Sequence, residues 1–276
     1  MALSTRFLLS DRLLLSNRLL LALVMAAWSA PAHAADPGVA AKLDALVRAY
    51  PDELAGHDDA SLIWRDGVRM PVDDGRPRKS FEETLRAASI LDQMRLAYPK
   101  GSRAAPAAQD DDPGRFRNRA FFDKMYGDCS KNEVEARLAT VSWMPKSWGK
   151  KLRVTSINGV ASRLKAVSAE LESLPPTLRD YAYPSAGTYN CRVIADSGTR
   201  SMHAYAAAID LNVKFADYWL WKQGKTGPFS YANRMPFEIV DIFERHGFIW
   251  GGHWGHYDTM HFEYRPELLG MGGELP

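Results

Sequence analysis

The chain has few cysteines, little excess charge and, after its first 34 residues, no long apolar run. Only two of its 276 residues are cysteines, and the formal net charge is +2. A near-neutral chain offers no basic patch of the kind that binds nucleic acid. An apolar stretch shorter than about 18 residues does not span a membrane as a helix. These absences argue against a nucleic-acid partner and against a transmembrane segment in the mature chain.

The first 34 residues have the parts of a secretory signal peptide. Three arginines precede an apolar run over residues 19–27, and Ala32-His33-Ala34 has the small-x-small pattern that signal peptidase recognises. Cleavage there removes three arginines and one aspartate, which leaves 32 basic and 32 acidic residues. We therefore expect residues 1–34 to be removed near Ala34, and the mature protein to be periplasmic or secreted.

Cys129 and Cys191 are the two cysteines. In an oxidising compartment the simplest expectation is that they form a disulfide. The rival interpretation makes both of them zinc ligands, but they lack the close C-x-x-C spacing of structural zinc sites. The disulfide is the prediction that we favour.

The mature chain has a candidate boundary at residues 101–114, which are rich in Ala, Pro and Asp. Residues 35–117 then form an N-terminal extension of unknown role, and residues 118–276 form the main domain. Apolar spacing and turn residues predict helices over 37–50, 81–96, 160–174 and 236–246, a hairpin at Asp66-Gly67, and strands over 152–157 and 248–250. The expected fold is α+β, with a central antiparallel sheet that carries the site, flanking helices and a mostly helical extension.

Two short segments carry residues that can bind a metal ion. His203 and Asp210 lie seven positions apart, and Asp258 and His261 lie three apart in a later segment. Two imidazoles and one carboxylate make the three-ligand shell of catalytic zinc, in which a fourth position stays open for water or substrate. The second carboxylate is then left over to act as a base.

The spacing of His203 and Asp210 requires the chain to fold back between them. Seven residues span about 10 Å on a helix and about 23 Å on a strand, whereas both side chains must come within about 2 Å of one ion. We therefore predict a turn over 204–207 and a returning strand over 208–213, with Asp210 facing the site and Ile209 facing the core.

The second segment needs a turn as well, because residues three apart point to opposite sides of a strand. We predict Asp258 in the turn, His261 on the following strand and Phe262 in the core. Glu263 shares the face of His261, where it either orients that ring or faces solvent. Simpler alternatives stay open on spacing alone: the histidines are ordinary hydrogen-bonded or surface residues, and Asp210 is a solvated residue at a strand end.

Two motifs and an upstream arginine match one family: Ser201-x-His203-x-x-Ala206-x-Ala208-x-Asp210, Asp258-x-x-His261 and Arg192. Together they resemble the VanY-like D-alanyl-D-alanine carboxypeptidases, which include vancomycin-resistance D,D-dipeptidases and phage L-alanyl-D-glutamate endolysins. The resemblance covers roughly residues 118–276. Ala206 stands where the family has glycine, a residue favoured at positive φ, which leaves open another shape for this turn.

The resemblance implies one zinc ion with three ligands, His203, Asp210 and His261. It implies that Asp258 is the general base and later the acid, and that Arg192 binds a substrate carbonyl or carboxylate and the developing oxyanion. Ser201 either hydrogen-bonds the substrate or shapes the turn, and His256 is a candidate for substrate binding in the cleft.

By resemblance, the expected protein is an exported zinc peptidase acting on peptidoglycan stem peptides. The bond cleaved is D-Ala–D-Ala or L-Ala–D-Glu, and an aspartate rather than a glutamate base favours the endolysin-like branch. Two alternatives remain: a wall-peptide-binding module without catalysis, and a structural zinc site with an unrelated function. The sequence predicts no oligomeric state.

Overall fold

The computed structural model describes residues 37–106, 108–194, 198–222 and 231–272. These residues lie within one compact unit that spans residues 35–276. The predicted signal peptide lies outside the described residues. None of the helices in the described ranges combines the length and the apolar character that crossing a membrane requires.

The chain alternates short helices and short strands. The α-helices are α1 (Pro37–Ala49), α2 (Phe81–Arg86), α3 (Ile90–Gln93), α4 (Arg119–Tyr126), α5 (Val160–Glu172), α6 (Pro176–Arg179), α7 (Phe237–Arg245) and α8 (Pro266–Leu269). The strands are β1 (Leu54–His57), β2 (Ser61–Trp64), β3 (Arg69–Pro71), β4 (Leu138–Trp143), β5 (Lys150–Thr155), β6 (Ala208–Asp210), β7 (Phe248–Trp250) and β8 (His261–Tyr264). Single turns of 3₁₀ helix are Cys129–Lys131, Glu135–Arg137, Ile157–Gly159, Met202–Tyr205, Val213–Phe215, Trp219–Lys222, Gly251–His253 and Gly270–Gly272.

The strands of the described residues form three small antiparallel sheets. Their strand orders are β1-β2-β3, β4-β5 and β6-β8-β7. The predicted α+β class is confirmed, but a single central sheet is not. The candidate site belongs to the third sheet, whose central strand is β8.

The extension is more mixed than the sequence predicted. The helix over 37–50 and the hairpin at Asp66-Gly67 are confirmed as α1 and the β2–β3 pair. The single helix over 81–96 is wrong, because Ser89 starts a new helix: its Oγ accepts a hydrogen bond from the Asp92 N–H over 3.1 Å. Because a three-stranded sheet also lies in this part of the chain, the extension is a mixture of helix and strand rather than mostly helical.

The later predicted elements are found close to their expected positions. They are β5, α5, α7 and β7. Strand β6 is shorter than predicted and ends at Asp210, since the backbone N–H of Asn212 turns away to bond the Tyr181 carbonyl over 3.1 Å. Strand β6 nevertheless includes Asp210, the predicted metal ligand.

The third sheet has an apolar face and a polar face. Phe262 of β8 points into the core, where its ring stacks on Phe243 of α7 with 3.9 Å between centroids. Ile209 lies directly opposite Phe262 and is also buried. Burying each such side chain contributes about 1.5–3 kcal/mol. The same register places Asp210 directly opposite His261, on the other face.

Residues of the extension belong to the same hydrophobic core. Tyr50, the residue after α1, packs edge-on against Phe121 of α4, with 5.8 Å between ring centroids. The buried hydroxyl of Tyr50 also donates a hydrogen bond to Glu267 Oε2 in α8 over 2.7 Å. The division between residues 35–117 and 118–276 stays a prediction from composition.

Candidate metal centre

The two predicted segments meet at the polar face of the third sheet. His203 lies in the 3₁₀ turn Met202–Tyr205, and the chain then reverses into β6, which carries Asp210. The reversal occurs at Ala206, whose φ is +55°. The turn therefore keeps the left-handed conformation that glycine favours, although this conformation costs about 1–2 kcal/mol for a residue with a Cβ.

Three potential ligand atoms face one another across a small gap. His203 Nε2 lies 3.1 Å from Asp210 Oδ1 and 3.2 Å from His261 Nδ1. Asp210 Oδ1 lies 2.9 Å from His261 Nδ1. Ligands of tetrahedral zinc at about 2.0–2.1 Å from the ion stand about 3.3 Å apart. The three separations are close to that spacing, and the three residues could hold a metal ion.

Hydrogen bonds on the far side of each imidazole orient the two rings. His203 Nδ1 donates to the Thr188 carbonyl over 2.6 Å, and His261 Nε2 donates to Glu263 Oε2 over 2.9 Å. In the neutral rings these bonds leave the lone pairs of His203 Nε2 and His261 Nδ1 directed at the gap. Such outer partners are typical of metal-binding histidines.

The charge balance of the site also fits a cation. Burial works against ionisation of Asp210, but the neighbouring His203 and His261 hold its pKa well below the usual range. Although burial opposes a charged ring, hydrogen bonds to Asp210 and Glu263 raise the pKa of His261 to about 10. Two ring nitrogens and a carboxylate oxygen this close to one another need a proton or a metal ion between them. The donor set suits zinc.

Asp258 occupies the predicted turn before β8. Its backbone N–H donates to the Gly251 carbonyl over 2.9 Å, and its buried Oδ1 has no hydrogen-bond partner in the described part of the chain. Burial and, second, the negative charge of Asp210 raise the pKa of Asp258 to about 7. A carboxylate with a pKa near neutrality is suited to taking up and returning a proton.

The residues predicted for substrate contacts line one cleft beside these groups, together with the predicted base and one predicted ligand: Arg192, Ser201, His256, Asp258 and His261. Arg192 is exposed. Ser201 Oγ accepts a hydrogen bond from the His203 N–H over 3.3 Å, so this serine shapes the turn and also borders the cleft. His256 Nδ1 donates to Asp112 Oδ2 over 2.8 Å.

Two arginines that the sequence did not single out also line the cleft. Arg115 and Arg117 come from the end of the extension, and both side chains are 5% exposed. Arg115 Nη1 donates to Asp112 Oδ2 over 2.9 Å. Their positive charge was the only signal in the sequence. A charged residue becomes informative when it is known to be buried, and burial is known only from the structure.

Glu263 orients His261 and does not face solvent, so the first of the two alternatives applies. Its carboxylate is buried and accepts hydrogen bonds from Arg117 Nη2 over 2.5 Å and from Arg265 Nη1 over 3.2 Å. Burial favours the neutral acid, but the charge of Arg117, the bond to His261 and the charge of Arg265 lower the pKa of Glu263 to about 2. Glu263 is therefore an anion that accepts from His261.

The predicted disulfide between Cys129 and Cys191 is confirmed, and their Cα atoms are 5.7 Å apart. The rival interpretation, in which both cysteines bind zinc, is excluded for this structure. The bond fastens the residue that precedes Arg192 to the 3₁₀ turn Cys129–Lys131.

Comparison with known families adds an independent observation. Residues 195–264, about a quarter of the chain, match a family model described as D-alanyl-D-alanine carboxypeptidase. The match contains the three potential metal ligands and Asp258, whereas Arg192, Arg115 and Arg117 precede it. Over these residues the resemblance to the VanY-like zinc peptidases is confirmed. No curated protein and no solved structure was found to match the chain.

Proposed function

We propose that this chain is an exported, zinc-dependent peptidase that hydrolyses peptidoglycan stem peptides. The observation that carries the proposal is the cluster of His203 Nε2, Asp210 Oδ1 and His261 Nδ1 within 3.2 Å of one another. Beside it, Asp258 presents a buried carboxylate oxygen, Oδ1, that has no hydrogen-bond partner among the described residues. The family match supports a peptidase related to peptidoglycan.

Each residue then has a chemical role. His203, Asp210 and His261 would hold the ion, and Thr188 and Glu263 keep the two rings in the binding orientation. A bound zinc ion supplies Lewis acidity and lowers the pKa of water to about 7. Asp258 takes the proton of the attacking water and returns it to the leaving amine, a contribution of typically about 10²–10⁴-fold.

Arg192 supplies the positive charge that the reaction needs on the substrate side. Its guanidinium is exposed at the cleft, where a planar forked donor can bind a peptide carbonyl or carboxylate and the developing oxyanion. His256 and Ser201 border the same space and complete the predicted substrate contacts. The positive charge of Arg192 at the cleft supports a short peptide substrate with a negative group close to the bond that is cleaved.

Two stem-peptide bonds remain candidates, D-Ala–D-Ala and L-Ala–D-Glu. The aspartate at position 258 favours the second, endolysin-like activity. Digestion of defined muropeptides followed by mass spectrometry separates them: loss of a terminal alanine identifies the carboxypeptidase, and release of a stem fragment identifies the endopeptidase.

The central test combines metal content with turnover. We expect one zinc ion per chain and zinc-dependent hydrolysis, which Asp258→Ala abolishes while the zinc content is retained. Asp110→Ala, at an exposed acidic residue, is the matched control and should behave as wild type. A chain that binds sacculi without any turnover would instead be a wall-binding module. Unfolding of the protein on chelation of its zinc would indicate a structural ion.

Export is tested separately. Expression in a Gram-negative host followed by fractionation should place the protein outside the cytoplasm, with a new N-terminus at or near Ala35. An uncleaved chain recovered from the cytoplasm contradicts the signal-peptide prediction without affecting the proposed chemistry.

A further inference from the structure

A chain of buried charged groups joins the extension to the candidate metal centre. Arg117 Nη2 donates to Glu263 Oε2 over 2.5 Å, and the same oxygen accepts from His261 Nε2 over 2.9 Å. The Arg117 side chain is 5% exposed and that of Glu263 is 0% exposed. Arg117 is therefore two hydrogen bonds away from the His261 ring, whose Nδ1 faces the metal position.

The other oxygen of Glu263 is held as well. Arg265 Nη1 donates to Glu263 Oε1 over 3.2 Å and to the Gly114 carbonyl over 2.6 Å. Arg265 Nε donates to Glu267 Oε1 over 2.5 Å, so this guanidinium is fixed from a third side. With a donor on each oxygen, the Glu263 carboxylate has one orientation, and the bond to His261 has one direction.

The segment that carries Arg117 is docked on the loop before β8. The Trp254 indole N–H donates to the Pro113 carbonyl over 2.7 Å, and the Gly255 N–H donates to the Asp111 carbonyl over 2.9 Å. These bonds fix the backbone a few residues before Arg117. The backbone that carries the Arg117 guanidinium is therefore held in place by hydrogen bonds.

We propose that Arg117 is a positioning residue for the metal centre. By fixing Glu263 it fixes the ring of His261, so the residues before the family match belong to the functional site. The inference rests on the proposed zinc site. It differs from a purely structural role, in which Arg117 only neutralises a buried carboxylate and the metal geometry does not depend on it.

The test measures metal binding directly. Outer partners of metal-binding histidines typically change metal affinity by about 10–100-fold. We expect Glu263→Gln to weaken zinc binding by about 10–100-fold and Arg117→Met by about tenfold in competition with a chelating dye. In the Co²⁺-substituted protein both variants should shift the visible d–d bands, which report the ligand geometry.

A double-mutant cycle shows whether Arg117 acts through Glu263. If it does, Arg117→Met adds little further loss of zinc affinity in the Glu263→Gln background. Equal losses in the two backgrounds, or an unchanged Co²⁺ spectrum in Arg117→Met, overturn the inference. The double variant leaves no unpaired carboxylate at position 263. If the single Arg117→Met protein does not fold, the zinc affinity of the double variant can still be compared with that of Glu263→Gln. Arg117→Lys, which keeps the charge, should recover part of the affinity.

Arg119→Met is the matched control, because Arg119 is two residues along the chain, 66% exposed and paired with Asp123 on the surface. It should bind zinc as wild type does. If the wild-type protein itself binds no zinc, the proposed function fails. If the wild type binds zinc and Arg117→Met matches it in affinity and spectrum, only the positioning role is overturned.

Discussion

Asp112 accepts two hydrogen bonds from one residue, His256: the backbone N–H donates to Oδ1 over 2.9 Å and Nδ1 donates to Oδ2 over 2.8 Å. Asp112 is completely buried and also pairs with Arg115. Asp112 belongs to a stretch with the composition of a linker, yet it holds His256, a residue that lines the cleft, in place.

Asp112→Ala should lower the free energy of unfolding by about 3–5 kcal/mol, because it leaves Arg115 charged, buried and without this partner. Chemical denaturation of the purified protein measures the change. Asp110→Ala, two residues away and exposed, should stay within about 0.5 kcal/mol of wild type. Equal stabilities of the two variants would show that the buried pair contributes nothing.

Asp258 should make the metal-free protein less stable as the pH rises. Burial and the charge of Asp210 raise its pKa from 3.8 to about 7, so the folded state holds the proton more tightly than the unfolded state. This contribution is fully present below about pH 4 and is lost as the pH rises through about 7. Between about pH 5 and pH 8, metal-free wild type should lose on the order of 3 kcal/mol more stability than Asp258→Asn.

Denaturation of chelator-treated protein at both pH values checks this expectation. Added zinc provides the control, because a nearby cation favours the ionised carboxylate and should reduce the difference between the two proteins. Parallel pH dependences in wild type and variant would mean that Asp258 has an ordinary pKa.

Replacing both Cys129 and Cys191 by alanine should lower the free energy of unfolding by about 2–5 kcal/mol, because the disulfide closes a loop between residues 62 positions apart. Cys191 adjoins Arg192, so we also expect KM to rise more than kcat falls. The three proposed zinc ligands lie outside the closed loop, and zinc content should not change. An unaltered KM in a less stable protein would mean that the disulfide stabilises the fold but does not contribute to substrate binding.

Gly255→Ala should displace the segment that docks on the loop before β8. A Cβ there would lie 2.1 Å from the Ala108 carbonyl oxygen and 2.2 Å from the Gln109 carbonyl oxygen, and backbone atoms do not give way easily. We expect a loss of about 1–3 kcal/mol and faster proteolysis within residues 101–112. Gly56→Ala is the control, because a Cβ at that glycine meets nothing within 4 Å.

The sequence predicted those features that depend on the spacing of residues close together in the chain. The helix over 160–174 follows from apolar residues at steps of three and four, and the fold-back between His203 and Asp210 follows from ligand geometry alone. The turn at Asp258 followed from the same argument about side-chain direction. These expectations held because each depends on residues close together in the chain.

The rest of the site depends on partners that are distant in sequence. Asp112 and His256 are 144 positions apart, and Arg117 and Glu263 are 146 apart. Composition typical of a linker gave no sign of these contacts, since burial of Asp112 is visible only in the folded chain. The break between α2 and α3 was missed for a different reason: Ser89 serves as a helix start within an otherwise helical pattern.

Contacts made by residues 111–117 set a practical limit on how this protein can be shortened. A fragment trimmed to residues 118–276 would keep every atom of the ligand cluster, yet it would expose the indole of Trp254 and strip Glu263 of one guanidinium. Such a fragment should bind metal poorly and aggregate. A usable fragment of this protein therefore has to start upstream of Asp111.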